Sequence, residues 1–423
     1  RSGLRSPYAA PRHAHAHAGM IPSSAAPSFP CATDAPLACG LHPTQRAWVE
    51  VDAAAIRRNA SRLQRFLRSG CTLMAVVKAD GYGHGALPVA QAALAGGAGS
   101  LGVATLQEGV DLRQRGIEAP ILVMGNLVGA EELHSCLHWQ LMPTISSLEE
   151  ASLSHRLAAG TGRRMAVHLK LDTGMARLGV DWRAGAQLLA SLHALDHLEV
   201  AGVYSHLADA DAGETGGSDL TRQQQERFEC VLRQAADRGL ATGQRHLANS
   251  AGSLRGPSLH YDLVRVGLAL YGHAPAPHLA GQVPLEPAMG VRARVTLLRD
   301  VPAGMGVSYG HQWRAPRPSR LAVVAIGYAD GVPRSLSNRM EVLFAGRRLT
   351  QVGAITMDQL MIDATDDPAL RVGSVVTLLG CDGDNRIGPE HWAATCGTIP
   401  WEILCGFKHR LPRLRPEDAC HER

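Results

Sequence analysis

From residue 47 the chain alternates short apolar runs, many of them β-branched, with longer stretches whose apolar positions recur every three or four residues. The short runs predict buried strands over 73–77, 101–104, 121–124, 141–144, 165–171, 198–204, 246–248 and 263–266. The helical period predicts helices between them, for example 106–115, 147–159 and 220–238, and another over 53–67 ahead of the first strand. Strands joined through helices run parallel, because a parallel pair needs a long crossover and a helix fills it. Eight such units in roughly 230 residues have the size of a (β/α)8 barrel. The predicted fold is therefore α/β, an N-terminal TIM-like barrel over 47–288. Past about residue 290 the helical period stops, and apolar runs at 291–298, 321–326, 342–344 and 375–379 predict a C-terminal, mostly β domain over 289–415.

Residues 1–46 follow neither period and are rich in Pro, Ala, Ser and His, which predicts a disordered tail; residues 416–423 are read as a second tail. A targeting segment and leader sequence are both open for residues 1–46, and the His13-Ala14-His15-Ala16-His17 run reads as flexible surface histidines, with no metal site expected. The formal charge of +4 concentrates there: Arg1, Arg5, Arg12 and Arg46 stand against Asp34 alone, which leaves the main body near neutral. With no basic field and only six Trp, seven Tyr and five Phe, no nucleic-acid partner is expected. No apolar run reaches the roughly 18 residues needed to cross a bilayer, so no membrane partner is expected either. Nine scattered cysteines without a Cys-x-x-Cys pair fit a reducing, cytoplasmic location.

Barrel chemistry gathers at the C-terminal ends of the strands, which selects Lys78, Arg177, His206, Ser250 and Gly267. Lys78 leaves the first apolar run and enters the glycine-rich Ala79-Asp80-Gly81-Tyr82-Gly83-His84-Gly85. Partial burial would lower its pKa and make the amine a nucleophile. An ion pair with Asp80 explains the same lysine equally well. The glycines could admit a phosphate by close backbone approach.

The segment Ala75-Val76-Val77-Lys78-Ala79-Asp80-Gly81-Tyr82-Gly83-His84-Gly85 resembles the pyridoxal phosphate attachment motif of alanine racemases. Further stretches match in the family's order: His168 through Gly179, Val203-Tyr204-Ser205-His206, Asn249-Ser250-Ala251, Val264-Arg265-Val266-Gly267, Val307-Ser308-Tyr309-Gly310 and Met357-Asp358-Gln359. The resemblance covers about residues 47–412 and implies interconversion of L- and D-alanine with pyridoxal 5'-phosphate. It implies that Lys78 binds the cofactor covalently and is the base facing D-alanine, with Tyr309 the base facing L-alanine. Since a phenol's pKa is about 10, His206 and Arg265 are expected to favour the phenolate by charge or hydrogen bonding. The resemblance sets Arg265 against the pyridine nitrogen; a guanidinium keeps its proton, so the sink is weakened and side reactions are discouraged. Tyr82, Ser250 and the amides of Gly267 and Leu268 are implied to hold the phosphate. Arg177 would bond the ring oxygen and, with the Met357 main chain, the substrate carboxylate. Lys170 matches a lysine carried as a carbamate. Because Lys78 and Tyr309 lie in different domains, a homodimer with composite sites is implied.

Each residue also has a plainer role open to it. His206 could be a core histidine, Arg265 an ion-pair member, Tyr309 a packing residue, Arg177 a surface arginine and Ser250 a helix cap. Tyr328 either narrows the substrate entrance or lies on the surface. His409 stands where some members carry a phosphate-binding tyrosine. Alternatives to the alanine enzyme are a broader amino acid or serine racemase and a non-catalytic pyridoxal phosphate-binding protein. A decarboxylase of the same architecture is disfavoured by Arg265, since it would set a carboxylate against the ring nitrogen.

Overall fold

A computed structural model describes residues 45–213 and 218–419. Eight parallel strands form the barrel: Thr72–Val76, Ser100–Val103, Ile121–Val123, Met142–Ile145, Met165–Asp172, Leu198–Tyr204, Gln244–His246 and Leu263–Val266. Each pairs with the next, and the last pairs with the first, Val264 opposite Leu73. The seventh and eighth strands close the ring more loosely, through Asp262 N–H to the Arg245 carbonyl and Arg265 N–H to the Ala248 carbonyl, both 3.0 Å. The run expected at 246–248 thus ends as strand at His246.

Side chains alternate across each strand. Leu73, Leu101, Ile121, Val167, Leu169, Val203, Val264 and Val266 face the surrounding helices and are inaccessible to solvent. Burying such a side chain stabilises the fold by about 1.5–3 kcal/mol. The alternate positions Met74, Leu122, Tyr204 and Leu263 form a separate cluster inside the barrel. The same period carries Lys170 inward two residues after His168, and Arg265 inward two residues after Leu263.

The expected helices are present. Ala53–Phe66 begins at Asp52, whose carboxylate accepts from the Ala55 amide at 2.8 Å, and it buries Ala55, Ile56, Asn59, Ala60 and Leu63 as one stripe. Leu106–Gln114, Leu148–Gly160 and Ser218–Asp237 follow the expected strands.

The second sheet has nine strands and is mostly antiparallel. Its first strand, Ala47–Val51, lies within the segment 47–288 assigned to the barrel, yet it pairs with Met289–Val301, Ala47 opposite Ala293 and Val51 opposite Met289. Both faces of Ala47–Val51 are buried, and only a neighbouring strand can satisfy its backbone there. The sheet continues through Ser319–Val324, Leu360–Asp363, Arg347–Val352, Glu341–Phe344 and Val375–Asp382.

At the termini, the tail expected at 1–46 lies outside the described residues except for its last two. Arg46 is ordered, its guanidinium donating to both oxygens of the fully buried Asp330 at 2.6 and 3.0 Å. The tail expected at 416–423 contains a helical turn, Pro416–Ala419, that buries Ala419; residues 420–423 and the histidine run at 13–17 lie outside the described residues. Among the described residues, no helix is long and apolar enough to cross a membrane.

Candidate active site

A cavity of about 560 Å3 opens at the C-terminal end of the barrel strands. Lys78, Tyr82, Lys170, Arg177, His206, Ser250, Arg265, Gly267 and Leu268 all wall it. Strand-end position predicts five of these, Lys78, Arg177, His206, Ser250 and Gly267, the family resemblance implies Tyr82, Lys170, Arg265 and Leu268, and the barrel brings all nine together. Trp401, Glu402 and Cys405 close one side from a C-terminal helix, Pro400–Gly406.

Lys78 follows the inward-facing Met74 and Val76 at the strand period, so its amine enters the barrel mouth. It is half-buried. Burial and then the charge of Arg177 lower its pKa, against weaker support from Glu108 and Cys405. No ion pair with Asp80 forms; the Asp80 carboxylate accepts from the Ala86 amide at 2.8 Å instead. The chain then turns left-handed for five residues, with φ of 53° at Ala79, 52° at Asp80, 60° at Gly81, 51° at Tyr82 and 80° at Gly83. Each non-glycine residue in that region costs roughly 1–2 kcal/mol. The turn aims Tyr82 back into the cavity, stacked on Tyr271 at 4.8 Å between ring centroids. Its hydroxyl lies 2.4 Å from where a Cβ on residue 267 would sit. Only glycine at 267 lets the phenol come so close to that backbone.

Ser250 is the first residue of the helix Ser250–Arg255, and the cap is Asn249, whose side-chain oxygen accepts from the Gly252 amide at 2.9 Å. The serine hydroxyl accepts from the Gly267 amide at 3.0 Å and the Ala269 amide at 3.4 Å. The Gly267 amide, expected to face a phosphate, is therefore spent on Ser250, whose own proton is left to donate into the cavity. Hydroxyls, a bare glycine and a half-buried amine form a cradle that fits a phosphate and an aldehyde, so the residues present suit pyridoxal phosphate.

Arg265 is 3% exposed and forms the cavity floor. It donates to the Ser205 carbonyl at 2.7 Å, the Leu247 carbonyl at 3.1 Å, His246 Nδ1 at 2.9 Å and His206 Nδ1 at 3.1 Å. Burial pushes its pKa down to about 10, so it stays protonated at pH 7, and it forms no ion pair with a carboxylate among the described residues. A guanidinium cannot accept, so both histidines accept at Nδ1 and carry their proton on Nε2. His246 Nε2 then donates to His168 Nδ1 at 2.9 Å. Burial and Arg265 drive His206, His246 and His168 well below the usual histidine pKa, so all three are neutral. His206 therefore offers an N–H donor and no positive charge to the cavity, and the positive charge beside it is that of Arg265. Gly202 makes room for this network, because a Cβ there would meet His168 Nδ1 at 2.4 Å.

Lys170 is 6% exposed, its amine 4.2 Å from the centre of the Tyr204 ring. Burial, Arg265 and Arg177 push its pKa well below the usual lysine value. Arg177 is exposed at the cavity rim, on a loop tied by Asp172, whose carboxylate accepts from the amides of Gly174, Met175 and Ala176.

Tyr309 and Met357 do not join this cavity. They are 71% and 52% exposed on the β domain. Their loops touch each other, since the Ser308 hydroxyl donates to the Ala354 carbonyl at 2.7 Å. Tyr328, on the neighbouring turn, is 42% exposed, its amide bonded to the Thr356 carbonyl. His409 is exposed and absent from the cavity wall; the final motif reaches the cavity through Cys405. The sequence reading missed the roles of His246 and His168, which lie in barrel strands beside other polar residues, Gln244 and Arg245 in one and Lys170 in the other. It also missed Glu108, although Thr105-x-x-Glu108 is a readable capping-box pattern.

Residues 51–275 match the family described as alanine racemase, N-terminal domain, and residues 288–415 match alanine racemase, C-terminal domain. An alanine racemase of Prochlorococcus marinus is 55% identical over 375 residues, covering 88% of this chain and 97% of the relative. The crystal structure of alanine racemase from a D-cycloserine-producing Streptomyces lavendulae superposes with a TM-score of 0.83 at 36% identity, covering 89% of this chain and 99% of that one. The alanine racemase of Bartonella henselae with covalently bound pyridoxal phosphate superposes with a TM-score of 0.78 at 32% identity, covering 88% and 99%. Fold, cavity chemistry and both domain matches agree: this chain belongs to the alanine racemase family, whose members use pyridoxal phosphate.

Proposed function

We propose that this chain interconverts L-alanine and D-alanine by a two-base reaction, with Lys78 on one face of the substrate and Tyr309 on the other. The observation that carries the reading is the half-buried Lys78 amine in a cavity with Tyr82, Ser250 and the bare Gly267. Pyridoxal phosphate, when bound, supplies the sink for the electron pair that the departing α-hydrogen leaves behind. Lys78 would hold the cofactor through its amine and, when free of it, would move the proton on the D face. Its lowered pKa leaves a larger neutral fraction to act as base. Tyr82, Ser250 and Leu268 hold the phosphate, with Gly267 giving the clearance. Arg265, always a donor, would lie on the side of the ring nitrogen and leave it unprotonated, so that the sink would be weak and return of the proton favoured over other bond cleavages.

Arg177 and the Met357 main chain orient the substrate carboxylate. Tyr309 and Met357, exposed on the β domain, are supplied to the cavity by a second copy of the chain, so the working unit is a homodimer with two composite sites. Tyr328 enters from the same partner face and narrows the entrance toward a small side chain. The barrel, within 53–288, carries the cofactor, and the β domain, 289–415 with the strand Ala47–Val51, delivers the second base.

The buried Lys170 amine, its pKa pushed well down, is suited in its unprotonated form to add carbon dioxide: the nitrogen bonds the carbon, one C–O π bond opens onto oxygen, one proton leaves, and an anion takes the place of the uncharged amine beside Arg177. With 13C-bicarbonate, a carbamate carbon resonance lost in Lys170→Ala is expected; its absence from the parent protein would rule the modification out.

The reaction itself is tested in deuterium oxide on the pyridoxal-loaded protein. L-alanine should lose its α-proton signal and racemise, as read by proton NMR and chiral analysis, and L-serine should react far more slowly. Bound-cofactor absorbance without exchange of either amino acid would overturn the reading in favour of a cofactor carrier.

A further inference from the structure

Glu108 is not among the side chains that wall the cavity, yet its carboxylate joins the exits of two adjacent barrel strands. One oxygen accepts from the Ala79 amide at 2.7 Å. The other accepts from the Ala104 amide at 2.7 Å and the Thr105 amide at 3.1 Å. Thr105 returns the cap, its hydroxyl accepting from the Glu108 amide at 3.3 Å. Ala104 and Thr105 leave the second strand, and Ala79 is the peptide directly after Lys78.

We infer that Glu108 is a positioning residue for Lys78: it pins the peptide that follows the lysine to the neighbouring strand and so sets the direction in which the amine enters the cavity. The inference rests on Lys78 being the cofactor-bearing lysine. Ala79 opens the left-handed turn, a conformation a non-glycine residue leaves readily unless it is held. Its amide has one acceptor, Glu108, and a shortened or neutral side chain removes or weakens that hold. Glu108 is also the carboxylate that acts on the Lys78 amine, opposing the effect of burial and of Arg177, with Cys405 acting in the same sense as Glu108.

The test uses the full chain stripped of cofactor with hydroxylamine and reloaded with pyridoxal phosphate. Capture is followed by absorbance, then fixed with borohydride and located by peptide mass. In Glu108→Gln, cofactor affinity should fall about 10-fold, the loss expected for one charge-assisted hydrogen bond. The pH of half-maximal capture rate should also move down, because removing a nearby negative charge lowers the lysine pKa and frees the amine at lower pH. Glu108→Asp keeps the charge but is too short to span both strands, so affinity should fall while the pH midpoint stays near that of the parent. Thr105→Val loosens the same helix start without touching the Ala79 contact, and should lower thermal stability while changing neither capture quantity. Parent-like affinity and pH midpoint in Glu108→Gln would overturn the inference. Label on a residue other than Lys78 in the parent protein would overturn the cofactor assignment, and the inference with it.

Discussion

Lys78→Ala is expected to reduce alanine racemisation by on the order of 10^4-fold. The side chain is asked to perform two tasks that no neighbour can take over. It anchors the cofactor, and it is the amine the barrel holds at the mouth with a lowered pKa. The other amine in the cavity wall, Lys170, is fixed over the Tyr204 ring from a different strand. The variant should still bind pyridoxal phosphate through Tyr82 and Ser250, but the cofactor should leave on dialysis, and borohydride should no longer fix it to the chain. Near-parental turnover in the dialysed, reloaded variant would contradict the assignment.

Tyr309→Phe is expected to lower kcat/KM by about 10^2–10^4, and thermodynamics fixes how the loss is shared. The two enantiomers have equal free energy in water, so the racemisation constant is unity and kcat/KM must fall equally in both directions. Proton exchange is under no such constraint. Lys78 can still take the α-proton from D-alanine and return a deuteron to the same face, so D-alanine should exchange without inversion while L-alanine does not. Equal loss of exchange for both enantiomers would place the tyrosine elsewhere in the mechanism. Mixing unfolded Lys78→Ala and Tyr309→Phe chains and refolding them tests the composite site. Half of randomly paired dimers are hybrids, each with one site free of both substitutions, so activity should recover to about a quarter of the parent's. No recovery would mean that each chain uses its own tyrosine.

The barrel was legible because buried parallel strands are apolar on both faces and stand out as short runs between helices. Lys78 was legible for a related reason: it continues the inward period of a mostly apolar strand, so a charge there is conspicuous, whereas Arg265 was picked out only by the resemblance of its motif. What local pattern could not supply was pairing. Ala47–Val51 is not among the predicted strands, and only the partner 246 residues away, Ala293 for Ala47, assigns it to the other sheet. Asn249 and Ser250 are both good caps, and the choice between them depended on Ser250 being needed by the Gly267 amide. His246 and His168 acquire meaning only through Arg265, which lies on a third strand.

The first strand of the chain also constrains how the molecule is made. Ala47–Val51 emerges early in synthesis, but its antiparallel partner, Met289–Val301, follows only after the entire barrel. Closing so long a loop is entropically costly and slow unless the intervening chain has already collapsed. The barrel therefore has to condense while an apolar strand waits unpaired beside it, exposed to other nascent chains. A ribosome-stalled chain ending near residue 288 should hold that segment open to protease, and extension through residue 301 should close it. The β sheet then acts as the lock on a barrel already formed, and Tyr309 arrives only on chains whose barrel has passed that step.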